Sequence, residues 1–477
     1  MSRPTRRAFL EKSLLAAAAA ASAPYASALG APRRRRQVPP SEVIRIGVIG
    51  VRGRGRGHIG EFKNLPGCQV AALCDVDEGV IGPARKSVPE AKYYRDLRQM
   101  LDDESIDAVS IATPNHWHSL ATIWAVQAGK HVYVEKPVSH NVFEGRQVVA
   151  AAAKYGKIVQ HGTQARSAPA TKDAMEWLRG GGLGAVKLAM GLCYKRRESI
   201  GKVEGPQKPP ATCDYDLWTG PAELQPLMRQ NLHYDWHWVF NTGNGDIGNQ
   251  GVHQMDIARW GLGVETHPRR VASCGGRLGY VDDGNTPNAQ VVWLDYGDKE
   301  IVFEVRGLAT DPYRGTGIGV VFFGERGTLV SASYEKVQAF DHDGAVIATF
   351  EGDASHGQNF LDAVRAGDPG KLTAPILGGH LSSAMGHLGN ISHLLGEESA
   401  LAAVEDPFGG SAAANEAFAG FRAHLAANGL DPAQCRIRRG PALTFDAAAE
   451  RFTGERAEAA NRLLTREYRA PFLLPEI

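Results

Sequence analysis

Cysteine is scarce in this chain, and the few cysteines are scattered. Six occur among 477 residues, and none forms a C-x-x-C pair. That spacing argues against a structural zinc site and against a disulfide framework. The chain also lacks an excess of either charge. It has 53 Lys and Arg residues and 52 Asp and Glu residues, so its formal net charge is +1. The sequence therefore predicts no electrostatic attraction to nucleic acid or to an anionic membrane surface.

Long apolar runs are absent except for an alanine-rich stretch from Leu14 to Ala21, which is too short for an ordinary membrane span. Arg6 and Arg7 precede it, and Ala26-Ser27-Ala28 follows as an A-x-A cleavage site. The paired arginines resemble a twin-arginine signal, with an ordinary secretory leader as the alternative. We therefore predict a signal peptide at residues 1–28 and no membrane anchor after its cleavage. The twin-arginine machinery would deliver the folded protein to the periplasm, or otherwise export it.

What remains is typical of a soluble globular protein, with 43% hydrophobic and 22% charged residues. The length exceeds one ordinary hydrophobic core and predicts two or three domains. After a basic linker at residues 29–42, the chain alternates apolar strands with helical segments. No tandem repeat is evident.

A glycine-rich turn follows the first apolar strand, Val43 to Ile49. Gly50, Gly53 and Gly55 lead into a helix, where glycines let the backbone approach a pyrophosphate at the helix N-terminus. The next strand ends in Asp75, where a carboxylate would meet the ribose hydroxyls of a dinucleotide. The pattern predicts a nicotinamide cofactor bound by these four residues.

Arg52 departs from the usual G-x-G-x-x-G pattern, because it occupies the position of the middle glycine. It is predicted to contact a cofactor phosphate, or else the turn takes another form that uses Gly53. An arginine here would also suit NADP, but the carboxylate of Asp75 would repel its extra phosphate. NAD is therefore favoured over NADP.

Two further strands end at the same predicted sheet edge, which is where open parallel sheets bind ligands. One strand, Ala108 to Ala112, precedes a loop and a helix that begins near Leu120; the other is the apolar run in HVYVEKP. Proline disfavours an α-conformation at the residue before it, so the backbone of Lys136 is predicted to be extended. The cofactor-binding candidates from this edge are Thr113, Pro114, Asn115, His118, Glu135 and Lys136.

Four motifs resemble a known family: IGVIGVRGRGRGH, ATPNHWH, VEKP and GNGDIGNQGVHQMDIARWGLG. The chain is similar to the glucose-fructose oxidoreductase, inositol dehydrogenase and rhizopine-catabolism (Gfo/Idh/MocA) oxidoreductases. The resemblance implies an α/β fold, with a Rossmann NAD-binding domain at residues 43–165. It also implies a C-terminal α/β substrate and oligomerisation domain at 166–477 with a large, mostly antiparallel sheet. A sugar or polyol substrate and a homo-oligomer (dimer or tetramer) are further implications, and Lys136 matches the catalytic lysine of the family.

The chemistry of alcohol oxidation gives this lysine a role. Its ammonium would stabilise the developing alkoxide while a neighbouring base removes the hydroxyl proton. We predict one helix from Gly248 or Asn249 through Trp260, with Asn249, His253 and Asp256 on one face. His253 matches the catalytic histidine of the family and is the expected base, with core packing as its alternative.

The family commonly has an aspartate where this chain has Asn249. Asparagine cannot act as a base, so the expected alternatives are that Asp246 supplies the carboxylate or that His253 acts alone. Asn249 itself is interpreted either as a helix N-cap or as a substrate contact. The predicted catalytic set is therefore Lys136, His253, Asn249 and Asp246.

Aromatic and basic side chains complete the predicted substrate site. NLHYDWHWVF holds Trp236 and His237, whose flat faces suit either a sugar ring or packing beneath a loop. Tyr194 and Arg196, with Lys195 between them, follow a strand and are expected to line the cleft. No matching ligand set for a metal is evident in the sequence. His380 is a further candidate to reach the site. Residues after about 431 suggest no chemistry. The substrate-binding candidates are Tyr194, Arg196, Trp236, His237, Asn249, His253 and Asp256.

The sequence thus predicts an exported oxidoreductase that transfers hydride between a secondary hydroxyl of a carbohydrate and tightly bound NAD. Because free cofactor would be scarce outside the cytoplasm, NAD is expected to stay bound and to be recycled in the site. One alternative is an NAD-dependent glycosidase that works by transient ring oxidation and elimination. The other is a non-catalytic sugar-binding protein on the same fold.

Overall fold

A computed structural model describes residues 42–477 of the chain. The predicted signal peptide at 1–28 lies outside the described residues. Within residues 42–477 the chain forms a six-stranded sheet and then a twelve-stranded sheet. No helix in this range is both long enough and apolar enough to cross a membrane.

The first sheet is parallel, with the strand order β3-β2-β1-β4-β5-β6. Its central strands are buried almost throughout, as expected for a parallel sheet covered on both faces. The order reverses direction between β1 and β4, and such a switch point creates a crevice at the carboxyl ends of the strands. The strands are β1 (Ile44–Ile49), β2 (Cys68–Cys74), β3 (Lys92–Tyr94), β4 (Ala108–Ile111), β5 (His131–Val134) and β6 (Val159–His161).

Helices connect consecutive strands, and the strand order is that of a Rossmann fold, so the predicted α/β class is confirmed. They are α1 (Arg54–Phe62), α2 (Gly82–Ser87), α3 (Leu97–Leu101), α4 (Asn115–Gln127) and α5 (Val142–Tyr155). Helix α4 begins at Asn115, five residues before the predicted start near Leu120. Pro114 is extended and stands at the N-cap position, so the loop that the sequence suggested is shorter and the helix longer.

The second sheet is mostly antiparallel, as predicted, with the order β14-β13-β12-β11-β7-β10-β9-β8-β16-β15 and β17 and β18 beside β8. Among the described strands, β7 and β10 form its parallel pair. The strands are β7 (Val186–Tyr194), β8 (Arg270–Gly276), β9 (Ala289–Asp295), β10 (Glu300–Arg306), β11 (Ile318–Gly324), β12 (Gly327–Ser331), β13 (Lys336–Phe340), β14 (Val346–Glu351), β15 (Glu397–Ala400), β16 (Arg436–Arg439), β17 (Leu443–Asp446) and β18 (Arg451–Thr453).

Helices cover both faces of this sheet. Met255 and Ile257 share a core with Phe303 on one face, and Phe418 and Phe421 belong to a core on the other. Each large side chain buried in this way contributes roughly 1.5–3 kcal/mol. The helices are α6 (Pro169–Arg179), α7 (Tyr215–Thr219), α8 (Gly245–Asn249), α9 (Gly251–Leu262), α10 (His356–Ala366), α11 (Ile376–Leu394), α12 (Ala412–Ala427) and α13 (Ala457–Arg462). Short 3-10 turns lie at Glu78–Val80, Gln164–Ser167, Asp235–Trp238, Pro369–Lys371 and Leu401–Ala403.

The single helix predicted from Gly248 or Asn249 through Trp260 is wrong, because Gln250 separates α8 from α9. Gly251 opens the second helix against the ring of Phe303, where an added Cβ would lie 2.7 Å from the ring. This close packing sets the start of α9. As a result Asn249 belongs to a different helix from His253.

The segment after α13 returns to the parallel sheet. The ring of Phe472 packs edge-on against Trp117 of α4, with 5.5 Å between centroids. Arg466 donates to the carbonyl oxygen of Asn241 at 3.0 Å. The C-terminal segment thus ties α4 to the long connection between β7 and α8, which covers the switch-point crevice.

Candidate active site

A cavity of about 560 Å³ lies at the carboxyl edge of the parallel sheet. Its volume falls in the usual range for small-molecule sites. Residues of the parallel sheet line one side, and residues of α8, α9 and the β7–α8 connection line the other. The cavity can therefore bring a cofactor held by the first sheet against a substrate held by the second.

The glycine turn after β1 has the shape that a dinucleotide needs. Gly50 has φ +81° and approaches the backbone of Ala112, so that a Cβ would lie 2.8 Å from the carbonyl oxygen. A Cβ on Gly55 would lie 1.7 Å from the Gly50 carbonyl oxygen, whereas one on Gly53 would have no neighbour within 4 Å. The space over Gly53, at the N-terminus of α1, fits the pyrophosphate of NAD. Gly50 and Gly53 line the cavity, while Gly55 closes the turn behind them.

Asp75 lines the cavity at the end of β2, and exposed Arg52 lines it at the turn. The carboxylate of Asp75 accepts the backbone N–H groups of Val51 at 2.9 Å and Asp77 at 3.1 Å. Burial raises the pKa of Asp75 above its ordinary value, although both N–H groups act in the opposite direction. The two bonds fix the carboxylate beside the turn, where its remaining lone pairs suit ribose hydroxyls.

Thr113, Pro114, Asn115 and His118 also line the cavity, from the end of β4. Both ring nitrogens of His118 are occupied, by the carbonyl oxygens of Pro137 at 2.6 Å and Thr113 at 2.8 Å. Burial lowers the pKa of His118 from its ordinary value. Its role is therefore to tie the loop after β4 to the loop after β5.

Glu135 sits under the site as a buried anion. Its carboxylate accepts from Arg54 at 2.7 Å, from His58 at 3.0 Å and from Gln164 at 3.1 Å. Burial opposes ionisation, but the bond from His58 and the charge of Arg54 hold the pKa of Glu135 well below its ordinary value. Glu135 thus anchors α1 to β5 and supports the neighbouring Lys136, whose N–H it accepts at 3.2 Å.

The ammonium of Lys136 crosses the cavity to Asn249. Its Nζ donates to the Asn249 carbonyl oxygen at 2.7 Å and to Oδ1 at 3.3 Å. The N-cap interpretation of Asn249 is wrong, because α9 begins after Gln250 and has no side-chain cap. Burial lowers the pKa of Lys136 from its ordinary value, and nearby Arg54 and Lys195 add to this against Glu135 and Asp246. Asn249 therefore orients the lysine while leaving it a donor for a ligand.

His253 lines the same cavity from the first turn of α9. Among residues 42–477, neither of its ring nitrogens has a hydrogen-bond partner, and Nδ1 is fully buried. Burial lowers the pKa of His253 to about 3, and the charge of Lys136 acts in the same direction. At neutral pH the imidazole is neutral, so a lone pair is available to accept a proton.

Asp246 is not a free base, contrary to one sequence expectation. Its fully buried carboxylate is paired with Arg197, whose Nε and Nη2 lie 2.9 and 2.6 Å from the two oxygens. It does not line the cavity, whereas Arg197 does. The pair holds the segment that follows β7 against α8.

Three predicted substrate contacts point elsewhere. Asp256 is paired with Arg166 at 2.8 and 2.9 Å, which lowers its pKa to about 2 against the effect of burial. Tyr194 donates its hydroxyl to Glu304 at 3.1 Å, and exposed Arg196 pairs with exposed Glu198 at 3.1 Å. None of the three predicted residues lines the cavity. Each belongs instead to a pairing that the sequence did not suggest.

Trp236 and His237 do line the cavity. Their rings stack, with centroids 3.6 Å apart and 20° between planes. Nδ1 of His237 bonds the carbonyl oxygen of Tyr234, which has φ +71°. Burial lowers the pKa of His237 to about 3. The stacked pair offers a flat wall at the end of the cavity that holds Lys136, whose charge acts on His237.

His380 does not line the cavity, and it lies instead in a cluster that the sequence did not suggest. His380 and His267 both bond Glu450, with Nε2 to Oε1 distances of 3.0 and 2.8 Å, and the three could geometrically hold a metal ion. However, Arg146 pairs with the same carboxylate, and among residues 42–477 Nδ1 of each histidine lacks the partner that metal-binding imidazoles usually have. We interpret the cluster as an anchor for the segment around Glu450.

Sequence reasoning gave no role to Arg54, Arg197 or Tyr334, all of which line the cavity. Arg54 lay within the glycine motif and could have been found there. Arg197 was one residue beyond the predicted contact Arg196, and Tyr334 comes from a loop after β12 that carried no motif. Only the tertiary fold brings that loop to the site.

Comparisons with known proteins agree with this geometry. Residues 44–163 match the Gfo/Idh/MocA model, described as an oxidoreductase family with an NAD-binding Rossmann fold. A glycosyl hydrolase family 109 protein of Shewanella sp. strain ANA-3 is 35% identical over 160 residues, which are 29% of this chain and 35% of that protein. An alpha-N-acetylgalactosaminidase of Shewanella oneidensis is 35% identical over 128 residues, 25% of this chain and 28% of that protein. The chain thus spans about a third of the length of the curated relatives that it matches.

Solved structures share the fold at low identity. The WlbA dehydrogenase of Bordetella pertussis, in complex with NADH and UDP-GlcNAcA, has a TM-score of 0.55 and 18% identity, covering 73% of this chain and 97% of that one. GenD2 from gentamicin A biosynthesis, in complex with NAD, has a TM-score of 0.52 and 20% identity, covering 76% and 97%. Residues 44–163, which include the glycine turn, are thus similar to the NAD-binding Rossmann domain of the Gfo/Idh/MocA oxidoreductases.

Proposed function

We propose that this protein oxidises a secondary hydroxyl of a carbohydrate with NAD. The observation that carries the proposal is the pairing of a donor and a base in one cavity. Lys136 is an oriented ammonium, and His253 is a neutral imidazole with no protein partner among the described residues. Both share the cavity with the glycine turn.

Bound at Gly50, Gly53 and Asp75, NAD would accept the hydride that leaves the carbinol carbon with its electron pair. Lys136 donates a hydrogen bond to the hydroxyl oxygen and stabilises negative charge as it develops there. His253 accepts the hydroxyl proton, so that the carbon becomes a carbonyl. Asn249 holds the lysine in place through two acceptors.

A glycosidase is the second candidate, and the curated relatives support it. Several of them carry the name glycosyl hydrolase family 109, and one is named alpha-N-acetylgalactosaminidase. In that case the same oxidation would be transient, a neighbouring carbon would lose a proton, and the leaving group would depart by elimination. Water would then add to the resulting double bond, and the hydride would return to the carbonyl carbon. The net reaction would be hydrolysis of a glycoside without accumulation of NADH.

One experiment separates these reactions. The purified protein is first assayed for bound nicotinamide, and we expect a stoichiometric amount because NAD is proposed to stay bound. Free sugars and glycosides are then incubated with it, and products are identified by mass spectrometry while NADH absorbance is followed. An oxidised sugar with reduced cofactor supports the dehydrogenase, and a free sugar without net NADH supports the glycosidase. Binding without any product would leave a sugar-binding protein on the same fold.

We also propose export by the twin-arginine route, on the strength of Arg6, Arg7 and the A-x-A site in the sequence. An Arg6→Lys/Arg7→Lys double variant should remain in the cytoplasm when cell fractions are compared. Equal export of the variant would point to an ordinary secretory leader. A homo-oligomer, implied by the family resemblance, is a further proposal that light scattering would test.

A further inference from the structure

The end of the cavity that holds Lys136, where we propose that the sugar binds, is rich in cations. Lys136, Lys195, Arg54 and Arg197 all line it. Three of these four have partners. Arg54 pairs with Glu135 at 2.7 Å. Arg197 pairs with Asp246, and Lys136 donates to Asn249. Three of the four charges are thus held by groups of the protein.

Lys195 is the exception. It follows β7 directly, is partly buried, and has no carboxylate within 4.0 Å of its Nζ among residues 42–477. It also donates no side-chain hydrogen bond within that range. Its charge acts on Lys136, so the two ammonium groups are electrostatic neighbours. A desolvating ligand would increase their repulsion unless it carried a negative charge.

The carboxylates that line the cavity do not offset this charge. Asp75 and Asp96 lie at the ends of the β2 and β3 segments, on the adenosine side, and Glu135 is already bonded to Arg54 and His58. Neutral sugars are usually held by several acceptors for their hydroxyl groups, and among the described residues the cavity lining offers no free carboxylate at this end. An oxyanion on the ligand would instead receive a charge-assisted hydrogen bond.

We propose that Lys195 is a specificity-determining residue and that the substrate is an acidic sugar, whose carboxylate or phosphate it binds. This inference rests on the proposed function, because it identifies the class of sugar that enters the same site. The two sources of oxyanion are a uronic acid and a sugar phosphate, including the diphosphate of a nucleotide sugar. Both present oxygen acceptors to a point-charge donor.

The test uses matched pairs of ligands on the NAD-loaded protein. Glucose is compared with glucuronic acid and with glucose 6-phosphate, and N-acetylglucosamine with its uronic acid and its UDP derivative. Affinity is measured by calorimetry, which does not depend on turnover, and hydride transfer is measured separately. We expect an acidic member to bind about 10- to 100-fold more tightly than its neutral partner, as a hydrogen bond to a charged group implies. The preferred member identifies the source of the oxyanion.

Variants then assign the preference to the residue. Lys195→Met should reduce the ratio of acidic to neutral affinity to near one, while Lys195→Arg should keep most of it. Exposed Lys172 of α6 provides the matched control, because Lys172→Met removes the same charge far from any motif. Equal affinity for the members of every pair, including no measurable binding, would overturn the proposal, as would an unchanged ratio in Lys195→Met. Acid-selective binding without any turnover would contradict the proposed function but support this assignment.

Discussion

Replacement of Lys136 by methionine is the sharpest test of the proposed chemistry. Methionine keeps the length and the apolar stem of the side chain but removes its charge and its three donors. The structure gives Nζ two acceptors on Asn249, at 2.7 and 3.3 Å, and places it in the cavity beside His253. The variant therefore removes the donor that faces the reacting oxygen without disturbing the glycine turn.

The expected loss follows from the energetics of a preorganised donor. Removal of one such donor costs about 2.7–4 kcal/mol in the transition state, or roughly two to three orders of magnitude in turnover. The vacated acceptors on Asn249 would also lower the free energy of unfolding by about 1–3 kcal/mol. NAD affinity should change little, because Gly50, Gly53 and Asp75 make the turn and ribose contacts.

Single-turnover hydride transfer, NAD titration and denaturant unfolding measure these three quantities on one preparation. Lys172→Met is the control for loss of a lysine, and it should match the wild type in all three. A Lys136→Met protein that transfers hydride at close to the wild-type rate would refute the reasoning. The lysine would then be a structural contact to Asn249 and not an alkoxide stabiliser.

Three further predictions concern the pH profile, the buried ion pair and the turn. Because His253 must be neutral and its pKa is about 3, the acid-side fall in initial rates should come only as pH drops towards 3, and an acid-side inflection near neutrality would contradict this. Because Lys136 must be charged, the rates should also fall as pH rises through its lowered pKa. Asp246→Asn leaves Arg197 without its buried partner, so the free energy of unfolding in a denaturant titration should fall by about 3–5 kcal/mol, and an unchanged value would be evidence against the pair. Gly55→Ala places a Cβ 1.7 Å from a carbonyl oxygen of the same turn, so NAD binding followed by fluorescence should be lost, and wild-type affinity would mean that the turn can rearrange.

Local patterns were enough to predict much of the fold. The apolar strand and glycine turn at Val43 to Gly55, the strand from Ala108 and the apolar strand before Glu135 all agree with the structure. Each depends on neighbours in sequence. The break at Gln250 could not be predicted in this way, because it depends on a ring of Phe303 that packs against Gly251 from another strand.

The candidate site likewise contains residues that local sequence patterns predict and residues whose roles depend on distant partners. Lys136 and His253 lie in short motifs with their own chemistry, and the structure brings both to one cavity. Asp246, Asp256 and Tyr194 had equally suitable side chains but were assigned wrongly. Their partners lie 49, 90 and 110 residues away in the sequence, so the ion pairs and hydrogen bond that occupy them are not visible from local patterns. A buried carboxylate that is already paired costs too much to recruit as a base.

The loss of Asp246 as a base changes what the site can do with protons. Oxidation of one hydroxyl needs one proton acceptor, which His253 supplies, whereas elimination needs a second group to remove a proton from carbon or to protonate the leaving group. His237 is an imidazole that could remove the proton from carbon, because it lines the cavity, its pKa of about 3 keeps it neutral near pH 7, and its Nε2 has no hydrogen bond among the described residues. Its stacking on Trp236 would equally serve as a passive wall for a sugar ring. The products therefore distinguish the two reactions and also the two roles of His237. Release of a free sugar requires a second acid–base group in the cavity. Formation of an oxidised sugar leaves His237 as a packing surface.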